Sequence, residues 1–220
     1  MQNLLIIIGI VVVSWFVEGK AQELNVPATS VLTQRLETAQ SAKDLQILSQ
    51  QFEEIATANS ENELAAYYAL LTKTLRAFHL NPKTAIALST DLDKELESWE
   101  SSKIARAERL VLRGLIRTIK LAKSPEVYGM TLPSAILADY NEALKLAPEN
   151  PRALYLVAQL NMEAAPFWGK EPVQYCPDLK KALQQFEAEN LNKPNIHWGE
   201  IKAQKIWEEK CSAVESFKPN

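Results

Sequence analysis

The two histidines and two cysteines are the residues of this chain best suited to acid–base, nucleophilic or metal chemistry. His79 precedes Asn81–Pro82, at the expected end of a helix, where a histidine commonly interacts with the exposed carbonyl groups of the last turn. His197 precedes Trp198 near an expected helix start, and this position favours packing or exposure over a role as a base. Neither histidine belongs to a His-Glu-x-x-His pattern.

Cys176 and Cys211 lie 35 residues apart in the C-terminal part of the chain. In an oxidising compartment such a pair predicts a disulfide, which the chain-entropy model values at roughly 4 kcal/mol. A zinc site with His197 is an alternative, but structural zinc sites usually contain closely spaced ligand pairs, which this sequence lacks. Two free thiols are the third alternative.

Catalytic motifs are missing from the sequence, which contains no Gly-x-Ser-x-Gly, no P-loop and no Gly-x-Gly-x-x-Gly. Many helical carboxylates alternate with lysines, which is typical of a solvated face. Examples are Glu53, Glu54, Asp91, Asp93, Glu95 and Glu97. We therefore expect a protein that is not an enzyme and that carries no cofactor and no bound metal.

Partner binding is a better-supported function than catalysis. Six candidate side chains lie on helices that could face a shared concave groove. They are Tyr67, Tyr68, Arg113, Arg117, Asn161 and Met162. For Tyr67 and Met162 a core position is favoured over partner binding, because large residues at helical spacing usually pack. Arg113 and Arg117 are four residues apart and share a helix face. They could meet an acidic partner or glutamates of a neighbouring helix.

An irregular segment with exceptional aromatic content contains Phe167, Trp168 and Tyr175. Loop aromatics are either anchored on the protein body or available to a partner. We include Phe167 and Trp168 among the candidate partner-binding residues. The neighbouring Cys176 favours anchoring, since a bridge to Cys211 would pin the loop against the last helix.

These residues must be positioned by helices, because apolar side chains recur at spacings of three and four and no segment alternates with period two. Helices are expected from Thr29 or Ser30 to Gln40, from Ser41 or Asp44, over 62–80, from Pro82 to Trp99 and from Ser101 or Ser102 onward. Further helices are expected to end at Ala147, to run from Pro151 to before Pro166, and to cover about 177–189 and 198–214. The prediction is an all-α chain.

Helix pairs beginning near Asn62, Lys103 and Pro151 indicate a repeat. Tyr140, Ala143 and Pro148 have the spacing of the large, small and terminating residues of a tetratricopeptide repeat, and Gly114 fits the small position of the preceding pair. The pattern predicts a right-handed tetratricopeptide-like solenoid of about four helix pairs with a C-terminal capping helix. An ordinary helical bundle is the alternative.

The N-terminal segment has an uncharged apolar run of 14 residues, Leu4 to Val17. This is short for a membrane-spanning helix and suits a signal peptide, with Gly19 and Ala21 before a cleavage site at Gln22. An uncleaved anchor is the alternative. We expect residues 1–21 to be a signal peptide and residues 22–220 to form one domain, located in the periplasm or secreted. The net charge of −3 indicates neither a nucleic-acid partner nor membrane contact beyond the signal segment.

Four blocks, Phe52–Leu71, Tyr128–Lys170, Tyr175–Glu187 and His197–Cys211, resemble the small exported tetratricopeptide-repeat proteins of Bacteroidetes, which mostly have no assigned function. The resemblance implies that Cys176 and Cys211 belong together, and it implies no catalytic residue. A more remote similarity is to the helical-repeat periplasmic component of some tripartite solute transporters.

The function expected from these features is a binding module that engages a still unidentified protein through its concave face. One alternative is an accessory of a solute-uptake system that binds a small ligand or its carrier. Another is a structural protein of the envelope.

Overall fold

The computed structural model describes residues 25–99, 102–189 and 196–212, and within them the regular secondary structure is entirely helical. The predicted signal peptide lies outside these residues. The helices are α1 (Asn25–Thr38), α2 (Ala42–Ala58), α3 (Glu63–Ala77), α4 (Pro82–Glu97), α5 (Arg106–Lys123), α6 (Pro125–Tyr128), α7 (Leu132–Leu146), α8 (Pro151–Ala164), α9 (Cys176–Ala188) and α10 (Glu200–Lys210). The prediction of an all-α chain is confirmed for this part. None of these helices is long and apolar enough to cross a membrane.

Asparagine caps followed by helix-compatible residues set several helix starts. The Asn81 side chain accepts a hydrogen bond from the Thr84 N–H at 3.0 Å, and Asn150 does the same for the Ala153 N–H at 3.0 Å. In both cases proline occupies the first helical position, where its missing N–H costs nothing. These local signals explain why the predicted starts of α4 and α8 are confirmed.

The start of α5 differs from the prediction, because the helix begins at Arg106 rather than at Ser101 or Ser102. The Glu63 carboxylate accepts hydrogen bonds from the Ser102 hydroxyl at 2.5 Å and from the Lys103 N–H at 2.6 Å. These long-range bonds hold the segment outside the helix, so it does not join α5. The one-turn helix α6 follows directly after α5.

Packing follows chain order, as expected of a helical stack. α2 packs on α3, α4 on α5, α5 on α7, α7 on α8, α8 on α9 and α9 on α10. α3 also contacts both α1 and α5, so alternate helices form an inner row. One continuous apolar core runs along the stack from Leu32 to Cys211. A solenoid-like arrangement is thus visible at the level of helix contacts.

Gly114 has the packing role that its sequence position predicts. A Cβ atom at this position would lie 2.8 Å from Cδ1 and Cζ of Tyr140 and closer still to Cε1. The absence of a side chain on α5 therefore makes room for the buried Tyr140 ring of α7.

The disulfide Cys176–Cys211 is present, with a Cα–Cα distance of 5.6 Å. It joins the start of α9 to the end of α10, and both half-cystines are buried. The predicted pairing is confirmed.

Candidate functional site

A cavity of about 500 Å³ opens on the inner face of the helical stack. Its walls come from α1, α3, α5 and α8, with smaller contributions from α2 and α7, and the start of α10 closes one side. Most of the lining is aliphatic or aromatic. Six of these residues are Leu36, Leu75, Phe78, Leu115, Leu156 and Leu160. A concave, mainly apolar cavity of this size is typical of a small-molecule site.

Two tyrosines contribute hydroxyl groups to this lining. The Tyr140 hydroxyl lies 3.5 Å from the Thr118 hydroxyl, while the Tyr155 hydroxyl makes no hydrogen bond within the described part of the chain. Burial raises the pKa of both phenols, so both stay neutral at physiological pH. They can donate or accept hydrogen bonds without placing a charge in the cavity.

Glu37 is the carboxylate that lies deepest in the lining. Burial raises its pKa, and a hydrogen bond of 3.0 Å from the Gly199 N–H opposes that effect. The other charged or basic side chains of the lining, His79, Glu163 and Lys202, are exposed at the rim. The site therefore combines an apolar interior with a few polar groups that could orient a ligand.

A short segment, residues 196–199, lies across the inner row of helices and supplies Trp198 and Gly199 to the cavity wall. We call it the terminal strap. Its His197 N–H donates to the Tyr68 hydroxyl at 2.8 Å, and that hydroxyl donates back to the His197 carbonyl at 3.1 Å. The Trp198 indole N–H donates to the Tyr67 hydroxyl at 2.8 Å. α3 thus holds the strap in place.

Gly199 lets the strap turn into α10. Its φ of +94° is in the left-handed region, and a Cβ atom there would contact the Tyr155 ring at 3.4 Å. The close approach places the strap backbone directly beside the cavity.

A buried ionic cluster supports the same end of the cavity. The Glu108 carboxylate accepts hydrogen bonds from Arg152 Nη2 at 2.8 Å, from Asn150 Nδ2 at 2.6 Å and from the Tyr67 hydroxyl at 3.1 Å. Arg152 Nη1 also donates to Glu189 at 2.8 Å. The cluster joins α3, α5, α8 and the end of α9.

His197 extends this cluster. Its Nδ1 lies 2.8 Å from Glu189 Oε2 and its Nε2 lies 3.3 Å from Glu200 Oε2. The hydrogen bond with Glu189 raises the pKa of His197 against the opposing effect of burial. The pKa of Glu189 is raised by burial, but His197 and Arg152 together bring it below its usual value. The packing role predicted for His197 is realised as an ion pair that holds the strap.

Of the candidate groove residues on α3 and α8, Tyr67 and Met162 take the core position favoured for them, whereas Tyr68 is buried instead of lining a groove. Tyr67, Tyr68 and Met162 are at most 1% exposed, so a partner cannot reach them and they belong to the core. Burial of their large apolar side chains stabilises the fold, and the hydroxyl groups of both tyrosines form hydrogen bonds with the terminal strap. Asn161 is half-buried and lies outside the cavity lining.

Arg113 and Arg117 both pair with one buried carboxylate, that of Asp139 on α7. Arg113 Nη2 lies 2.6 Å from Asp139 Oδ1, and Arg117 Nη1 bonds Oδ2. The alternative of pairing with an acidic residue of a neighbouring helix is therefore realised, with aspartate in place of glutamate. This single carboxylate engages both guanidinium groups and balances one of their two charges.

The aromatic segment presents two of its rings to solvent. Phe167 is 87% exposed and Trp168 is 76% exposed, whereas Tyr175 packs against the core. The expected anchoring is wrong for Phe167 and Trp168, because the disulfide fixes the chain at Cys176, after the short turn that carries them. Both rings are available to a partner.

The expected contact of His79 with helix-end carbonyls is also not realised, because its imidazole makes no hydrogen bond among the described residues. His79 instead lines the cavity.

Sequence reasoning missed most of the cavity lining and the buried ion pairs that join Arg152 to Glu108 and Glu189. In the sequence, Leu160 and Tyr155 are recognisable only as apolar residues at helical spacing, and core residues have the same spacing. Glu108 and Arg152 stand on the apolar faces of α5 and α8 and are buried, a placement that could have distinguished them from surface charges.

No protein-family model matches the chain, and no curated protein matches its sequence. Among solved structures, the HusA haemophore from Porphyromonas gingivalis is similar, with a TM-score of 0.77 and 22% sequence identity. The match covers 92% of this chain and 100% of that chain. At this identity the similarity shows a shared helical fold.

Proposed function

We propose that this chain is an exported binding protein that takes a small, largely apolar ligand of the haem class into the inner cavity, as part of solute uptake. The observation that carries the proposal is the open apolar cavity of about 500 Å³ with few polar groups. The similar structure is described as a haemophore, a carrier of haem, which supports this ligand class. The proposed activity is binding, without catalysis.

Recognition would rest mainly on burial of apolar surface. Leu75, Leu115 and Leu156 provide aliphatic contacts from three different helices, and Phe78 adds an aromatic face. A flat apolar ligand gains about 25 cal/mol for each Å² that it removes from water. Lys202 is exposed at the rim and could pair with a carboxylate of the ligand.

Membership of the exported Bacteroidetes repeat proteins and a right-handed tetratricopeptide-like geometry are part of this proposal. The close contact between Gly114 and Tyr140 supports the repeat assignment. The disulfide supports a periplasmic or secreted location, since such bonds persist in oxidising compartments.

Protein binding is a second candidate function, carried by the exposure of Phe167 and Trp168. Exposed aromatic side chains are common anchors at protein interfaces. Because Tyr67, Tyr68 and Met162 are buried, this function would use the aromatic turn rather than the concave face.

The test is a titration of the protein with ferric haem, followed by tryptophan fluorescence quenching and haem absorption. Ala122 is an exposed position of α5 in the cavity lining, so Ala122→Trp fills the cavity at little cost to folding. Ala87→Trp, at an exposed position of α4 outside that lining, is the matched control. We expect at least about tenfold weaker binding for Ala122→Trp, equivalent to 1.4 kcal/mol, and unchanged binding for Ala87→Trp. Absence of haem binding by the wild type, or equal binding by both variants, would refute the proposal.

A further inference from the structure

A second cavity of about 500 Å³ lies between α4 and α5, and we call it the α4–α5 cleft. Its lining residues are Asp93, Leu96, Glu97, Arg106, Arg109, Leu110 and Arg113. On α5 the inner cavity uses Leu115, Thr118 and Ala122 instead. Because each residue advances about 100° around a helix, these two sets lie on nearly opposite faces of α5. The cleft is therefore separate from the inner cavity.

The two walls of the cleft carry opposite charges that do not pair with each other. Within the described residues, the side chains of Asp93 and Glu97 on α4 form no ion pair and no hydrogen bond. Arg106 on α5 is exposed and likewise forms none. Arg109 donates from Nη1 to a backbone carbonyl, that of Trp99, and its Nε is buried without a partner. Acidic and basic groups thus line one cavity without meeting.

The helix dipoles make each wall unfavourable on its own, since a helix start favours anions and a helix end favours cations. α5 instead begins with Arg106 and has Arg109 in its first turn, and no side chain caps this end. The acidic residue of that turn, Glu108, is buried in an ion pair with α8 and does not line the cleft. On the other wall, Asp93 and Glu97 lie in the last two turns of α4. Each helix end therefore lacks a group of the opposite charge.

We propose that the α4–α5 cleft binds a small zwitterion, with its oxyanion at the start of α5 and its ammonium group at the end of α4. Arg106 and Arg109 hold the oxyanion, because guanidinium groups match the geometry of phosphate and carboxylate, and the start of α5 adds its dipole. Asp93 and Glu97 accept hydrogen bonds from the ammonium group. An anion alone would leave the carboxylates of α4 unpaired and would be repelled by them. The inference does not depend on the proposed function, since the two cavities are separate.

The test is a titration with phosphoethanolamine and with ethyl phosphate, which has the same anion and nearly the same size but no ammonium group. Two-dimensional NMR of the amide groups of Arg106 and Ala107 reports binding at the start of α5. We expect phosphoethanolamine to shift both resonances and to bind at least about tenfold more tightly than ethyl phosphate. Equal affinity for the two compounds would overturn the preference for a zwitterion. No shift up to about 10 mM phosphoethanolamine would exclude a Kd near 1 mM and overturn the site.

Three variants test the assignment of the walls. Arg106→Gln should weaken binding of both compounds, and the exposed position of Arg106 makes this variant safe for folding. The double variant Asp93→Asn, Glu97→Gln should lose the preference for phosphoethanolamine while it still binds ethyl phosphate. Lys43→Gln, at an exposed position of α2 outside the cleft, is the matched control and should bind like the wild type. Wild-type affinities in a folded Arg106→Gln variant, or an unchanged preference in the double variant, would contradict the proposal.

The same head group can be a free solute or part of a lipid, and cosedimentation with phosphatidylethanolamine vesicles separates the two sources. Cosedimentation that Arg106→Gln abolishes would identify the ligand as a lipid head group. Binding of phosphoethanolamine without cosedimentation would identify a soluble zwitterion. Either result supports the site, whereas cosedimentation that is unchanged in Arg106→Gln, together with no binding of phosphoethanolamine, would refute it.

Discussion

Replacing Arg152 by methionine should destabilise the protein strongly, because it leaves a buried carboxylate without its cation. Arg152 is 4% exposed and Glu108 is 6% exposed, so water cannot take over the lost interaction. Removing one partner of such a pair typically costs about 3–5 kcal/mol. Glu108 keeps hydrogen bonds from Asn150 and from Tyr67, so we expect about 3 kcal/mol, at the lower end of that range.

The assay is equilibrium urea unfolding at pH 7 with the disulfide intact, monitored by far-ultraviolet circular dichroism. Domains of ordinary stability unfold with about 5–15 kcal/mol, so the variant should stay folded with a clearly lower midpoint. Arg113→Met is a useful comparison, because Arg113 is half-exposed and Asp139 keeps Arg117 as a second cation. Its cost should be about 1 kcal/mol or less.

The double variant Arg152→Met, Glu108→Leu tests the cause. Removing both charges avoids the unpaired carboxylate, so the double variant should be more stable than Arg152→Met alone. A loss below about 1 kcal/mol in Arg152→Met, or additive losses in the double variant, would refute the idea that an uncompensated buried charge sets the cost.

Two further predictions concern packing and pH. Gly114→Ala should lower the free energy of unfolding by about 1 kcal/mol, because overpacking against Tyr140 costs about 1–3 kcal/mol and alanine returns about 1 kcal/mol of helix propensity. In a Tyr140→Leu background the same change should be neutral or stabilising. An equal loss of stability in that background would contradict the steric explanation. The pKa of His197 is raised by Glu189, so its stabilising contribution is fully present below about pH 6.5 and is lost as pH rises through the higher folded-state pKa. Urea unfolding across pH 6–9 should therefore show a decline in stability that His197→Gln removes, and an unchanged slope in that variant would be evidence against the ion pair. Glu37, whose pKa is raised by burial, also loses its contribution as pH rises from about 4.5, and that part of the decline should remain in His197→Gln.

Local signals in the sequence were sufficient to predict most of the helices. The pairs Asn81–Pro82 and Asn150–Pro151 specify a cap and a first turn within a few residues, and both helices start there. The start of α5 was missed because Glu63, about 40 residues away, binds the Ser102–Lys103 segment. A hydrogen bond between residues so far apart in the sequence has no signature in the neighbouring residues, so it cannot be predicted from them.

The inner cavity could not be predicted for the same reason. Glu37 and Gly199 meet across 162 residues of sequence, and Tyr68 and His197 meet across 129. Apolar residues such as Leu156 and Leu160 have the same helical spacing whether they face the core or the cavity. Only the assembled stack distinguishes the two environments.

Asn150 shows the boundary between what the sequence specifies and what only the fold specifies. Its side-chain oxygen caps α8 through the Ala153 N–H, a local role that the Asn-Pro pair predicts. Its side-chain nitrogen donates to Glu108, 42 residues away, and so joins the cluster that carries Arg152, Glu189 and His197. The cap alone would accept serine or aspartate, whereas the cluster requires an N–H donor at that place. Substituting Asn150 by aspartate would keep the cap and set a second carboxylate against Glu108, so any loss of stability would measure the part of its role that the sequence does not reveal.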